Sequence, residues 1–134
     1  MGQNSINLPT ENINYVNFGT STVGGFIYAK DVYYTTAGGG IAIFYIPLSS
    51  GIQAGQSFQV ISGNPAGWQL VPDTGQIIRW IDSAGVMHAA DGTANQKVSS
   101  NGLASQVTST SATVMYVGGD VFIITSYTGI LTVV

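Results

Sequence analysis

Apolar side chains recur at every second position in short segments, and glycine-rich turns separate these segments. In residues 55–62 (GQSFQVIS), Phe58 and Val60 share one face of an extended chain, while Gln59 and Ile61 share the other. The segments are rich in Val, Ile, Thr, Phe and Tyr, the residue types that favour strands, and eighteen glycines divide them. The pattern predicts strands over residues 12–18, 25–36, 41–47, 56–62, 67–71, 76–82, 86–90, 112–118, 120–127 and 130–134.

These strands, with no segment of helical periodicity between them, predict an all-β domain built as a jelly-roll-like or prism-like sandwich. The Gly-Gly pair in residues 115–123 (MYVGGDVFI) is a hairpin signal, because such turns favour positive φ. Residues 91–113 are polar and predict an exposed loop with one edge strand at most. Residues 1–20 are rich in Asn and predict an N-terminal arm or linker, which leaves residues 21–134 as a single β domain.

The segment VFIITSYT is apolar on both faces of its predicted strand. One face carries Val121, Ile123 and Tyr127, and the other carries Phe122, Ile124 and Ser126. A strand with two apolar faces is buried on both sides. A chain of 134 residues is long enough for one core only. Burial on both sides therefore indicates contact with neighbouring subunits.

Charged residues are scarce. Three basic and six acidic side chains make up 7% of the chain, whereas soluble domains carry about 25%. A monomer of 13.9 kDa would expose roughly 6,700 Å², and so few charges do not cover that surface in the usual proportion. The hydrophobic share is 45% and the mean hydropathy is +0.30. These features predict a tight homo-oligomer.

The low count of basic residues also limits the partners. Three Lys or Arg residues are too few to neutralise a phosphate backbone or an anionic lipid surface, so neither nucleic acid nor membrane insertion is expected. No apolar run approaches the ~20 residues of a membrane-spanning helix, and no signal peptide is visible in MGQNSINLPTENINYV. Cysteine is absent, which excludes disulfides and zinc–thiolate sites.

The second half of the chain has a characteristic spacing of glycines and apolar residues. GQSFQV is followed by GWQL, then by TGQII and at the end by GILTVV. In this order and spacing, residues 50–134 resemble the β-rich modules at the C-terminal ends of phage tail-fibre and related surface proteins. The residues that carry the resemblance are Gly55, Gln56, Phe58, Val60, Gly67, Trp68, Leu70, Gly75, Gln76, Ile78, Gly129, Leu131 and Val133.

Two features depart from that pattern. Arg79 and Trp80 stand where a less bulky pair is expected, and residues 83–111 are longer and more polar than the simplest form. The resemblance implies a homotrimeric, protease-resistant β-module for receptor attachment or fibre termination. It also implies a place in a virion or an extracellular surface structure, and it names no ligand.

The stretch GNPAGWQLVPDTGQIIRW, residues 63–80, is typical of two strands joined by a tight turn. The turn PDTG combines a proline, an aspartate that bonds its own backbone and a glycine. Tryptophan buries a large apolar area, so Trp68 is expected to be structural. Trp68 and Ile78 are therefore predicted on one core face of a hairpin.

Trp80 is the candidate ligand-binding aromatic residue. The polar residues proposed to act with it are Arg79, Asp82, His88, Asp91 and Asn95. An exposed ring can stack on the C–H face of a sugar while the polar groups bind its hydroxyls. The alternative is that Trp80 fills a subunit interface, where tryptophan and arginine are also enriched.

The sequence supports metal binding and catalysis less than it supports glycan binding. His88 is the single histidine and could bind a metal only with its copies around a trimer axis, and DGTAN at 91–95 has too few carboxylates for calcium. Asp82 and Asp91 are the one conceivable glycosidase pair. Neither G-x-S-x-G nor a phosphate-binding loop is present. No cofactor and no enzyme activity are expected.

Three functional hypotheses remain, in decreasing order of preference. The first is a non-enzymatic, trimeric attachment module that binds a cell-surface glycan. The second is a structural module that caps or assembles a fibre and has no ligand of its own. The third is a glycoside hydrolase.

Overall fold

Twelve β-strands form two sheets in the computed structural model, which describes residues 14–17, 25–26, 31–35, 41–63, 66–100 and 110–134. In chain order they are β1 (Asn14–Asn17), β2 (Gly25–Phe26), β3 (Asp31–Thr35), β4 (Ala42–Tyr45), β5 (Ser57–Ser62), β6 (Trp68–Val71), β7 (Ile77–Ile81), β8 (Met87–Asp91), β9 (Val98–Ser99), β10 (Thr110–Gly118), β11 (Val121–Tyr127) and β12 (Thr132–Val133). The helical segments within these residues are two short 3-10 turns, Ser49–Gly51 and Gly92–Ala94. The prediction of an all-β fold is confirmed.

The order of strands is β1-β3-β5-β10-β11-β7-β8 in a seven-stranded sheet and β12-β9-β6-β4-β2 in a five-stranded sheet. From β1 to β6 the chain alternates between the sheets, so β1, β3 and β5 are parallel neighbours in one and β2, β4 and β6 in the other. Parallel neighbours need a crossover connection, and the intervening strand of the other sheet provides it. β1 lies within the segment predicted as an arm, and the boundary at residue 20 stays a prediction.

The hydrophobic core lies between the two sheets and takes alternate side chains from their strands. In β7, for example, Ile78 and Trp80 are buried and the residues between and beside them are not. The rings of Tyr33 in β3 and Phe44 in β4 meet edge-on across the core, with centroids 6.2 Å apart. One buried cluster draws on both sheets. The period-two pattern of the sequence thus determines which face of each strand turns inward.

The hairpin predicted around the PDTG turn does not form. Trp68 in β6 and Ile78 in β7 are both fully buried, but they face the core from different sheets. The turn closes through Gln76 N–H, which donates to the Asp73 carbonyl at 2.9 Å. The buried Gln76 side chain donates to the Pro47 carbonyl at 2.9 Å. The side chain of Gln76 therefore holds the turn against the chain that follows β4, and β7 enters the opposite sheet.

The Gly-Gly hairpin is confirmed, since β10 and β11 are antiparallel and joined at Gly118 and Gly119. Both glycines have positive φ, at 90° and 60°, as does Asp120 at 62°. Positive φ is readily adopted by glycine and tolerated by aspartate. The sequence therefore supplies suitable residues at each position of this turn.

A β-bulge in β11 changes the faces predicted for its last residues. The register with β10 shifts after Ile124, which leaves Thr125 as an extra residue on β11. An extra residue reverses the alternation of faces beyond it. Ser126 is therefore exposed, and Tyr127 packs against the core. The two residues thus exchange the faces on which the alternating pattern placed them.

Part of the polar segment 91–113 is interior rather than an exposed loop. Strand β9 lies between β6 and β12 in the five-stranded sheet, so it is not an edge strand. Val98, Ser99 and Ser100 are buried. The Ser100 hydroxyl accepts a hydrogen bond from the backbone N–H of Trp68 at 2.8 Å, which satisfies a buried main-chain donor. Residues 101–109 lie outside the described residues.

Candidate functional site

All six residues proposed from the sequence belong to β7, β8 and the turns that follow them. Arg79 and Trp80 lie on β7, and His88 and Asp91 lie on β8; the remaining two are Asp82 and Asn95. These two strands form an antiparallel hairpin in which Trp80 is directly opposite His88. Asp82 is in the turn between the strands, whereas Asn95 follows the 3-10 turn beyond the far end of β8. The hairpin therefore brings four of the six together and leaves Asp91 and Asn95 apart from them.

Trp80 is a core residue and not an exposed aromatic ring. Its exposed fraction is 1%, because alternation along β7 turns Ile78 and Trp80 inward and Arg79 outward. A buried ring offers no face on which a sugar can stack, so this part of the ligand hypothesis is corrected. The sequence contained the signal: an arginine is rarely buried without a partner, so its neighbour on the strand must face the core.

Asp82 organises the turn between β7 and β8. Its Oδ1 accepts hydrogen bonds from the N–H groups of Ala84 and Val86, both at 2.9 Å. Its Oδ2 lies 2.8 Å from His88 Nε2, and an ionised carboxylate can only accept, so His88 donates through Nε2. The His88 ring in turn stacks on Trp80, with centroids 5.2 Å apart and planes 20° apart. Both oxygens of Asp82 are thus engaged within the hairpin.

These contacts make the stability of the hairpin depend on pH. The hydrogen bond from His88, and then that from Val86, lower the pKa of Asp82 below its ordinary value of 3.8. A carboxyl whose pKa is lower in the folded state stabilises the fold above its unfolded pKa, and that stabilisation is lost as the pH falls through the folded pKa. We expect Asp82→Asn to lower the melting temperature at pH 7, and we expect this deficit to shrink as the pH falls below 3.8 towards pH 2.

Differential scanning fluorimetry of both proteins across this range measures the effect. A His88→Gln variant is the control, because it removes the main cause of the lowered pKa. In the His88→Gln background, Asp82→Asn should change the melting temperature less at pH 7 than in the native chain. An equal melting-temperature deficit of Asp82→Asn at pH 7 and pH 2 would contradict this role of Asp82.

Asp91 and Asn95 shape the turn that follows β8. Asp91 Oδ1 accepts a hydrogen bond from the Thr93 N–H at 2.8 Å, and Asn95 adopts a left-handed conformation with φ of 58°. Within the described residues, no group of three His, Cys, Asp or Glu side chains could hold a metal ion.

Asp91 pairs with Ile77 at the opposite end of the hairpin from Asp82. Five residues of strand separate them by roughly 16 Å, which is wider than the carboxylate spacing of about 5–9.5 Å in glycosidases.

A groove of about 840 Å³ opens beside the hairpin, where β7 and β11 part. The two strands are paired in parallel only from Val121 to Ile123, with Arg79 opposite Ile123. Beyond that point the bulge at Thr125 changes the course of β11. We call this space the β7–β11 groove; its main lining residues are Arg79, Ile81, Met87, Ile123, Ser126 and Tyr127.

The β7–β11 groove combines apolar walls with polar groups. Ile81 and Met87, opposite one another on the hairpin, are 58% and 62% exposed. Hydroxyls come from the β11 side, at Thr125, Ser126 and Tyr127. The Tyr127 hydroxyl donates to the Ile81 carbonyl at 3.4 Å, which links the two walls. The groove thus has an apolar surface beside several hydrogen-bonding groups.

The β11 side of the groove was not identified from the sequence. Arg79 and Asp82, both proposed from the sequence, also line the groove. Ser126 and Tyr127 lie more than forty positions further along the chain. They line the groove because β11 pairs with β7 and because the bulge changes the direction in which their side chains point. Neither the pairing nor the bulge has a local sequence signal.

Comparison with known proteins adds no family assignment. No protein-family model matches the chain, and a search of curated proteins finds no similar sequence. Across the part of the chain that the structure describes, no helix has the length and hydropathy needed to cross a membrane. The geometry of the groove, the composition of the chain and the residue pattern of positions 50–134 are therefore the basis for assigning a function.

Proposed function

We propose that the chain is a non-enzymatic attachment module that binds a cell-surface glycan in the β7–β11 groove. The observation that carries the proposal is the groove itself, whose volume of about 840 Å³ falls in the usual range for small-ligand sites of about 300–1,000 Å³. We base the class, an attachment module of a fibre, on the resemblance of residues 50–134 to phage tail-fibre modules. A virion or extracellular surface structure is the corresponding location.

The groove suits a sugar for two reasons. The C–H faces of a pyranose ring can pack on Ile81 and Met87, which are largely exposed. Its hydroxyls can bond the exposed Ser126 hydroxyl and can donate to the hydroxyl of Thr125, which itself donates to the Thr113 carbonyl at 3.3 Å. Sites of this kind combine apolar contact with a few placed polar groups. Tyr127 packs against the core and contributes its hydroxyl to the edge of the groove.

A homotrimer is the second part of the proposal. Large apolar side chains are exposed in the single chain at positions outside the groove as well: Tyr45, Leu48, Val86, Val117, Ile130 and Val134. With three basic and six acidic residues in the whole chain, association of identical chains would cover apolar surface that charges do not protect. We also propose that the two-sheet sandwich is of the jelly-roll-like or prism-like type.

Light scattering and glycan binding test the two parts separately. At micromolar concentration we expect a mass about three times the 13.9 kDa of the chain; a monodisperse monomer would refute the trimer. On a glycan array, we expect the native chain to retain a restricted set of oligosaccharides. Ser126→Tyr, which fills the groove from an exposed position, should weaken that binding by about tenfold or more.

Thr132→Tyr is the matched control, because Thr132 is an exposed strand position in the other sheet. It should bind as the native chain does. Equal binding by both tyrosine variants would remove the groove from the proposal. A trimer that retains no glycan would instead favour the second function, a structural module that caps or assembles a fibre, for which the exposed apolar side chains are the supporting observation.

A further inference from the structure

Among the residues that the structure describes, Arg79 is the one basic residue that lines the β7–β11 groove. It is exposed and lies in the middle of β7, where its neighbours on the adjacent strands are Ala89 on one side and Ile123 on the other. Neither neighbour can form the cross-strand ion pair that stabilises a charged residue on a sheet. Among the described residues, the one ion pair is between His88 and Asp82. The guanidinium of Arg79 therefore has no carboxylate partner within the described structure.

Asp82 contributes the one carboxylate among the described lining residues of the groove, and its oxygens are hydrogen-bonded to groups of the hairpin. Its two oxygens accept hydrogen bonds from Ala84, Val86 and His88 at 2.8 to 2.9 Å. Three of the roughly four lone-pair sites of the carboxylate are thus occupied within the hairpin, and Asp82 forms its ion pair with His88 and not with Arg79. The positive charge of Arg79 thus remains available to a ligand in the groove.

The β11 lining of the groove carries neutral hydroxyls. Thr125 and Ser126 follow Ile123, the residue opposite Arg79. A guanidinium binds carboxylate and sulfate groups through two parallel hydrogen bonds, which a neutral sugar cannot accept in the same geometry. The neighbouring hydroxyls suit the uncharged part of the same molecule.

We infer that the ligand of the β7–β11 groove is an anionic oligosaccharide whose carboxylate or sulfate is bound by Arg79. The inference rests on the proposed function and adds the chemical class of the glycan. The net charge of the chain is −3, so the whole protein does not attract anions at a distance. Recognition is therefore by short-range contact with Arg79.

The test compares matched oligosaccharides on the intact native assembly. One pair is a uronic acid oligosaccharide and its methyl ester, and the other is a sulfated oligosaccharide and its desulfated form. We expect the anionic member of one pair to bind at least about tenfold more tightly than its neutral counterpart, since hydrogen bonds to charged groups are the strong ones. The pair that shows the difference identifies the anion as carboxylate or sulfate.

Arg79→Gln should weaken binding of the anionic oligosaccharide by about 10- to 100-fold and leave the neutral one unchanged. Lys97→Gln removes the same charge from a residue outside the groove, and it should bind both as the native chain does. Arg79→Lys should fall between, because a lysine lacks the paired donors of arginine. The melting temperature of each variant checks its fold, and the comparison of oligosaccharides on the native chain stands without any variant.

The outcomes separate the two proposals. Equal binding of anionic and neutral forms, unaffected by Arg79→Gln, would overturn the anionic ligand and leave glycan binding in place. Failure of the native assembly to bind any oligosaccharide would overturn the proposed function, and the inference with it.

Discussion

Replacing Trp80 by alanine should lower the free energy of unfolding by about 3–5 kcal/mol. Its side chain is among the largest fully buried ones, with 1% exposed, and its ring stacks on His88. Truncation loses the free energy gained by transferring the indole from water to the core. It also leaves a cavity between the two sheets, because the close-packed neighbours relax only in part. For a domain whose total stability is about 5–15 kcal/mol, this is a large part of the whole.

Chemical unfolding in urea, followed by circular dichroism, measures the loss. Ile81→Ala is the matched control, since Ile81 is the next residue on β7 and is 58% exposed. It should change the free energy of unfolding by about 0.5 kcal/mol or less. If the two alanine variants were equally stable, Trp80 would not be part of the core.

This result determines which variants can test ligand binding. A loss of binding in Trp80→Ala would follow from unfolding alone, so it would carry no information on a contact with sugar. Exposed residues of the groove, such as Arg79 and Ser126, can be changed with little effect on the core. They are therefore the positions at which binding is tested.

Gly92→Ala is expected to destabilise the chain by about 3 kcal/mol, the upper part of the range for overpacked interiors. A Cβ at Gly92 would lie 1.9 Å from the carbonyl oxygen of Asp73 and 2.6 Å from its carbonyl carbon. Those backbone atoms cannot easily move. The Asp73 carbonyl accepts from Gln76 N–H at 2.9 Å, and Gly92 N–H donates to the Gln76 carbonyl at 2.9 Å.

The control is Gly51→Ala, at a glycine that also belongs to a 3-10 turn. A Cβ there would meet nothing within 4 Å, and alanine at such a position loses less chain entropy on folding than glycine. We expect Gly51→Ala to leave the urea midpoint unchanged or raise it slightly. Equal midpoints for the two variants would show that the turns around residues 73 and 92 are not in close contact.

Several features were predictable from the sequence because they depend on neighbouring residues. Phe58 and Val60 turn inward together as the period of two requires. The Gly118-Gly119 turn forms where residues that tolerate positive φ are grouped. The candidate site was located in part: Arg79 and Asp82 line the groove, whereas Trp80, assigned to it as an exposed ring, belongs to the core.

What the sequence by itself determined is the alternation of buried and exposed positions along each strand and the place of the principal turns. Both follow from the geometry of an extended chain and the conformational preferences of single residues. Only the tertiary structure decided that Trp68 and Ile78 face each other from different sheets, and that β7 pairs with β11. It also decided that a bulge at Thr125 turns Ser126 outward into the groove. These outcomes depend on contacts between strands far apart in the chain, and no local pattern of residues encodes them.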